Sequence, residues 1–560
     1  MITRHWRAVP VVALPTALIA AHGSWYGRWL IDDAGITFAY ARSIATAAGP
    51  VLQPGAPPVE AFSNPAWLAV HVLGRWLGVF DHGLVFGVPD YVVFPKAVAL
   101  LCCAGVFAGY YAAARAVCGH PGVVTLVAGA ITAAVPSFVI WCFSGLENAL
   151  LALTVVTLAV VMFHTAVSGR LLATRTAVLT GMLTAVAALT RPDGAIYAIA
   201  YPLLVLLLTR RGDLRSAGRA AAVSLTAFAL PYLAFLAWRW TTFGMLVPNT
   251  AIAKVQRMPV LADAGKAVEL VGYAGWVLVL VCCGCVGAVL MQPSQLRKGI
   301  AGLLIPLSLG VTAYSILVED WMGEYRFATP VWPLAALVGT LVVAYLVPRL
   351  AITGKTGLAA ALAAAVVVSS VNWWQSAQAF RHDPTTPLCH VTENTGRSFN
   401  AYADILGLQR GTVLAPDLGG TALTSRLGLI DLAGLADLRI ARYWADDDMA
   451  GLRNYIFTEA RPTFLQAHGF WNTKTGIISD PRLTADYELI GPRPGPSWEQ
   501  RPGASWVRKD VLPAAEALIA VRDYWATVIV PAGAAQRAAP LSSCGPLTVD
   551  EPRRSPDEAR

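Results

Sequence analysis

Two adjacent carboxylates, Asp32 and Asp33, stand just after the first long apolar run of the chain. Neighbouring carboxylates repel one another unless a cation, a set of hydrogen-bond donors or a substrate balances them. One structural use is to cap the helix that follows, since acids favour a helix N-terminus. The chemical use is as a general base, or as a holder of a metal or phosphate-linked ligand. Four further polar groupings stand at the ends of apolar runs: Ser144-Gly-Leu-Glu147, Thr190-Arg-Pro-Asp-Gly194, Phe243-Gly-Met-Leu-Val-Pro-Asn-Thr250 with Lys254 beyond, and Glu319-Asp-Trp-Met-Gly-Glu-Tyr-Arg326. Taken singly, each has a bland reading. Arg-Pro-Asp-Gly is a turn, Glu147 a cap, and a lone arginine can extend its head to a membrane interface. Taken together, Arg191, Lys254 and Arg326 would suit a phosphate or pyrophosphate, the arginines through bidentate contact.

The elements that position these groups must span a bilayer. Apolar residues make up 56% of the chain and charged residues only 14%, against about 25% charged in a soluble domain; the mean hydropathy is +0.55. The net charge is +8, but no Lys/Arg block with interleaved aromatics appears, which argues against nucleic acid as a partner. Crossing about 30 Å of hydrocarbon takes about 20 apolar residues. Roughly eleven stretches qualify, near 8–29, 95–117, 122–142, 147–167, 174–190, 195–209, 219–238, 268–290, 298–317, 327–347 and 356–373. The first could pass for a signal peptide; without a convincing small-x-small cleavage site it reads as a retained span.

Basic residues set the orientation. Arg4, Arg7, Arg115, Arg170, Arg175, Arg210, Arg211, Arg215, Arg219, Arg297, Lys298, Arg349 and Lys355 fall in one set of alternate loops. Asp32, Asp33, Glu60, Glu147, Asp193, Glu319, Asp320 and Glu324 fall in the other. The N-terminus is therefore expected in the cytoplasm, and an odd number of spans puts everything after about residue 374 outside the plasma membrane.

The expected fold is a polytopic α-helical membrane protein with a C-terminal extracytoplasmic α/β domain. The transmembrane part covers 1–373 with large external loops 31–94 and 239–267, the soluble domain 374–545, and a disordered tail 546–560. Ile36–Arg42 and Trp67–Trp76 read as amphipathic helices lying at the membrane surface. Residues 412–417, 427–431 and 462–466 read as buried strands. Trp444, Trp471, Trp498, Trp506, Tyr443 and Tyr455 could stack on sugars, though core packing is the commoner use. Seven of the nine cysteines lie in or beside apolar runs, where a thiol acts as a small hydrophobe. Cys389 and Cys544, the two in the polar region, can pair in an oxidising compartment. A divalent cation at Asp32 and Asp33 is open, but no ligand spacing demands one.

Asp32-Asp-Ala-Gly-Ile-Thr-Phe-Ala-Tyr-Ala41, followed by Val59-Glu-Ala-Phe-Ser-Asn-Pro-Ala-Trp67, resembles the first external loop of bacterial membrane glycosyltransferases of the GT-C fold. Gly145-Leu-Glu147, Arg191-Pro-Asp-Gly194, Gly244-Met-Leu-Val-Pro-Asn-Thr-Ala-Ile-Ala-Lys254, Asp320-Trp-Met322 and Tyr325-Arg-Phe-Ala-Thr-Pro330 continue the pattern in order. Asp417-Leu-Gly-Gly420 and Ile430-Asp-Leu-Ala-Gly-Leu435 extend it less specifically. The nearest group is the terminal arabinofuranosyltransferases of mycobacterial cell-wall arabinan assembly. Glu319 stands where that pattern has glycine, and Gly35 where it has a bulky residue.

The resemblance implies a polyprenyl-phosphate sugar donor, a glycan acceptor and transfer on the outer face. It makes Asp33 or Asp32 the base or sugar ligand, and Arg191, Lys254 and Arg326 the phosphate contacts. Glu60, Asn64, Glu147, Asp193, Asn249, Asp320 and Tyr325 would line the substrate. Mannosyl-, other pentosyl- or aminoarabinose transfer on the same fold is the close alternative. A lipid-linked-sugar flippase is more distant: it calls for internal repeats and charges at the bilayer midplane, whereas these charges gather at one face. A non-catalytic polymer-binding protein would leave Asp32 and Asp33 without a task.

Overall fold

The computed structural model describes residues 8–254, 260–318, 320–492 and 503–549. Arg4, Arg7, Glu319, Trp498 and the tail from residue 550 lie outside the described residues. Six helices are long and apolar enough to cross a membrane: Asp90–Val117, Asn148–Val167, Arg211–Phe243, Gln295–Ile316, Val331–Arg349 and Ile352–His382. Two bent pairs are also apolar enough when taken together, each as a broken span or a re-entrant loop: Pro121–Ala134 with Pro136–Cys142 at 78° and Gly265–Ala274 with Trp276–Met291 at 99°. Three shorter apolar helices, Val9–Ser24, Thr174–Thr190 and Pro192–Leu208, complete the set. Apolar helix thus stands at each stretch where the sequence predicts a span.

Both bends have local causes. Pro136 drives Val135 out of helical geometry, to φ −76° and ψ 108°. Gly275 sits at φ +99°, and a Cβ there would lie 2.3 Å from Ser369 Oγ, so only glycine fits the corner.

Asn148–Val167 and Val331–Arg349 are the inner helices, each with 61% of its apolar window buried, against 11% for Arg211–Phe243 and Ile352–His382. The outer pair leaves Leu230, Leu233, Val367 and Val371 exposed. Keeping such surface in water would cost about 25 cal/mol per Å²; a lipid surround removes that cost.

A hairpin of β1 (Leu84–Val85) and β2 (Val88–Pro89) closes the first large loop. The C-terminal region builds a five-stranded sheet from β3 (Thr412–Ala415), β4 (Gly428–Asp431), β5 (Phe464–Ala467), β6 (Tyr487–Pro492) and β7 (Ala504–Arg508), in the order β4-β3-β5-β7-β6. β3 runs parallel to β4 and β5, and β7 antiparallel to β5 and β6. Successive residues serve opposite faces of a strand. Leu414, Leu465 and Trp506 accordingly enter one core with Ile440 and Leu452, while Val413, Phe464 and Val507 enter another with Phe399 and Val521. A sheet covered on both faces explains why the three parallel strands read as unbroken apolar runs. β6 and β7 were not anticipated: Gly491 and Pro492 mark a turn in sequence, yet they sit in β6 beside a register shift.

The first-loop helix Asp32–Ala45 departs from expectation. Ile36, Phe38, Ala39, Tyr40 and Ala41 are all buried, because Pro65–Trp76 packs on one side and the short helix Gly419–Thr424 on another. It is therefore an interior helix, not one lying on lipid. The surface reading suits only the end of the second helix, where Leu73 and Trp76 are exposed.

Contact with 419–424 is very close. A Cβ on Gly35 would meet Gly419 at 2.7 Å, and a Cβ on Gly419 would lie 1.8 Å from the Asp32 carbonyl oxygen. Gly35, the departure from the family pattern, is thus matched by glycine across the contact. A C-terminal strap adds further ties. Arg28 N–H donates to the Leu541 carbonyl at 2.8 Å, Tyr91 Oη–H to the Cys544 carbonyl at 2.7 Å, and Cys389 and Cys544 form a disulfide with Cα atoms 5.3 Å apart.

Candidate active site

Asp32 and Asp33 occupy the first turn of the Asp32–Ala45 helix, but neither caps it; the N-cap is Ile31, with no side-chain cap bond. The buried Asp32 carboxylate instead accepts the backbone N–H groups of Gly419 (Oδ2, 3.0 Å) and Gly420 (Oδ1, 2.7 Å). Burial, then the nearby Asp417 and Asp33 charges, raise its proton affinity well above the ordinary carboxylate value, against the pull of the two N–H donors. Both oxygens are committed to holding the first loop against the sheet region.

Asp33 is different. Its carboxylate makes no hydrogen bond among the described residues. Burial raises its pKa, and the positive charges of Lys254 and Arg326 oppose that rise while Asp320 and Asp417 add to it. A carboxylate with raised proton affinity and unoccupied oxygens, flanked by two cations, is equipped to accept a proton.

Those two cations keep hydrogen-bonding capacity that the described residues do not take up. Arg326 Nε donates to Asp320 Oδ2 at 2.5 Å, and the guanidinium lies 4.8 Å from the Phe327 ring centroid and 5.8 Å from that of Trp141. Its terminal amino groups make no hydrogen bond among the described residues. Lys254, at the exposed end of the Asn249–Ala253 helix, makes no ion pair among the described residues.

The backbone ahead of Arg326 is strained: Gly323, Glu324 and Tyr325 all lie in the left-handed region, at φ +70°, +46° and +52°. Each non-glycine there costs about 1–3 kcal/mol. Ser137 Oγ–H (2.8 Å) and Trp141 Nε1–H (2.9 Å) hold the turn by donating to the Glu324 carbonyl, and Ser376 Oγ–H donates to its carboxylate at 2.9 Å. Tyr325 packs against Tyr273 with the rings tilted at 47° and centroids 4.7 Å apart.

The other expected residues form two supporting networks. Asn64 Nδ2–H donates to Glu147 at 2.8 Å and shares a 3.2 Å bond with Thr37; Arg191 donates to Glu147 at 3.3 Å and to Asp193 at 2.9 Å. Arg191 also lies 4.5 Å from the Phe327 centroid, so both guanidinium groups contact this ring. With two acids on it, Arg191 is less available to a phosphate than Arg326 or Lys254. Glu60 faces Arg239, with Nε 2.7 Å from Oε2 and Nη2 donating to Oε1 at 3.1 Å. Burial outweighs that partner and pushes Glu60 up to about 7. Asn249 donates from Nδ2 to the carbonyls of Gly434 (2.7 Å) and Leu435 (3.0 Å), pinning the second large loop to the turn after β4.

Sequence reasoning missed Arg239 as a partner and underused Asp417, with His468 beside it. Arg239 had a signal, an arginine at the acid-rich end of a span. His468 had none, because the parallel register of β3 and β5 alone brings it to Asp417, where Nε2 lies 2.9 Å from Oδ2. Among the described residues no group of three or more His, Cys, Asp or Glu side chains is arranged to hold a metal ion, and Asp32 already spends both oxygens on N–H donors.

No protein-family model matches the chain, and no curated relative does. Solved structures do. The oligosaccharyltransferase AglB of Archaeoglobus fulgidus, in complex with an inhibitory peptide and a dolichol-phosphate, is similar at TM-score 0.53 and 10% identity over 88% of this chain and 74% of that one. ArnT of Cupriavidus metallidurans matches at 0.53 and 13% over 90% and 98%, and its undecaprenyl-phosphate complex at 0.51 and 14% over 89% and 97%. The mycobacterial arabinofuranosyltransferase AftD matches more loosely, at 0.45 and 15% over 83% and 36%. The fold is that of the GT-C membrane glycosyltransferases, with a polytopic helical part and an α/β part.

Proposed function

We propose that this chain is a membrane glycosyltransferase that moves arabinofuranose from a polyprenyl-phosphate donor to a cell-wall glycan acceptor at the outer face of the plasma membrane. In this reading the N-terminus is cytoplasmic and the C-terminal α/β domain extracytoplasmic. The observation that carries it is the Asp33 carboxylate, which makes no hydrogen bond among the described residues and feels the charges of both Lys254 and Arg326. Neighbours of the same fold are solved with dolichol-phosphate and undecaprenyl phosphate, which fits a lipid-phosphate donor. The arabinofuranose assignment rests on the ordered motifs from Asp32 to Pro330.

The reaction breaks the bond between the anomeric carbon and the phosphate oxygen and joins that carbon to an acceptor oxygen. Polyprenyl phosphate leaves with the bonding pair. Arg326 and Lys254 stabilise the charge that grows on it, and burial strengthens the share of the arginine. The acceptor hydroxyl's proton passes to Asp33. Arg191, held by Glu147 and Asp193, fixes Phe327 and through it the face on which Arg326 lies.

The test is transfer itself. Membranes containing the protein are supplied with radiolabelled polyprenyl-phosphate arabinofuranose and an arabinan acceptor, with a polyprenyl-phosphate mannose donor in parallel. Label from arabinofuranose is expected in the acceptor. Label from mannose alone would replace the sugar assignment, and none from either would remove the transferase reading.

A further inference from the structure

Transfer chemistry at Asp33 leaves unused what the sheet brings beside it. β3 and β5 are parallel neighbours in register, Val413 with Phe464 and Leu414 with Leu465. Side chains just past their carboxyl ends therefore stand together, at the edge where open α/β sheets hold ligands. These are Asp417 and His468, joined at 2.9 Å. Asp417 is close enough to Asp32 and Asp33 to act on the charge of both.

His468 leads into the short helix Gly469–Thr475, which carries Phe470 and Trp471. With Trp444 they form an aromatic group: Trp444 and Phe470 stack with centroids 6.0 Å apart at 24°, and Trp444 meets Trp471 edge-on at 5.3 Å. Phe470 is 56% exposed, a large outlay of apolar surface for a ring that leaves the core unfilled. An open aromatic face beside a hydrogen-bonding acid–imidazole pair matches a sugar ring, which offers an apolar C–H face and hydroxyl edges. Lys254 and Arg326 suit the charged phosphate of the donor, whereas an aromatic face with an acid–imidazole pair suits a neutral sugar, so the chemistry gives this edge to the neutral partner.

We infer that the acceptor glycan docks on this edge of the sheet, a sugar ring against Phe470 and a hydroxyl of the terminal residue held by Asp417 and His468 so that the attacking oxygen meets Asp33. This rests on the glycosyl-transfer reading and names its acceptor subsite.

The experiment uses the full-length protein in lipid nanodiscs and a linear arabinofuranosyl hexasaccharide. Tryptophan fluorescence reads binding without donor, and steady-state transfer reads acceptor and donor KM separately. Phe470→Ala and His468→Gln should each raise the oligosaccharide Kd and the acceptor KM at least tenfold, leave donor KM within twofold and leave Tm unchanged; Phe470→Tyr should retain binding. Wild-type Kd in both variants, or no binding by the wild type, overturns the inference even when transfer is seen. Binding that the variants lose, with no transfer by the wild type, would instead reject the transfer reading and keep the subsite.

Discussion

The Asp32 carboxylate accepts the backbone N–H of Gly420 at 2.7 Å, across 388 residues of sequence. That bond, with its partner from Gly419, divides the labour of the acidic pair. Asp32 joins the first loop to the sheet region, which leaves Asp33 as the open carboxylate. Exchanging Asp32 for asparagine replaces one acceptor oxygen with an amide that faces a backbone N–H. A buried donor left without an acceptor costs about 1–3 kcal/mol, so Asp32→Asn should lower Tm and activity together, as thermal unfolding in detergent would measure.

Gly419 should tolerate no side chain. The Cβ of Gly419→Ala would lie 1.8 Å from the Asp32 carbonyl oxygen, and the backbone on both sides would have to part. Overpacking of this kind costs about 1–3 kcal/mol. A Tm equal to wild type for Gly419→Ala would contradict this packing.

The Glu60–Arg239 pair predicts a pH dependence with a definite sign. Glu60 has its carboxyl raised from 4.5 to about 7 in the folded protein, so folding binds its proton more tightly. The stability it contributes is complete below pH 4.5 and declines as pH rises to about 7. Glu60→Gln should flatten that part of the Tm-against-pH curve, and an unchanged slope would count against the assignment.

The Cys389–Cys544 disulfide closes a sequence separation of 155 residues. Loops of that size give bridges worth about 2–5 kcal/mol. Cys389→Ser should therefore lower Tm and loosen the strap at Leu541, read as faster hydrogen exchange at Arg28. Alkylation of the native protein should leave both residues unlabelled until reductant is added.

The bundle was legible because a bilayer imposes length and composition on every crossing, so hydropathy alone locates the apolar helices. The parallel strands β3, β4 and β5 were legible for a related reason, since burial on both faces writes them as short apolar runs. Asp33, Lys254 and Arg326 could be proposed together from topology, which places loop residues on one face. Their contacts could not. Nothing in the composition of 32–45 says that a six-residue helix from the far end of the chain covers it, and the glycines at 35 and 419 signal a close contact without naming the partner. Arg191 looked as free as Arg326 in sequence. Only the fold gives the first two acids and leaves the second's amino groups open.

The central claim is that Asp33 removes the acceptor proton, and the direct measurement is the transfer rate of Asp33→Asn against pH, with Asp33→Glu alongside. Wild-type activity should rise with pH through an acid limb above the ordinary aspartate value of 3.8, since only the ionised carboxylate can accept a proton. Asp33→Asn should lose transfer at least about a hundredfold, abolish that limb, and leave Tm and donor binding near wild type. Full activity with an unaltered acid limb in Asp33→Asn would contradict the account.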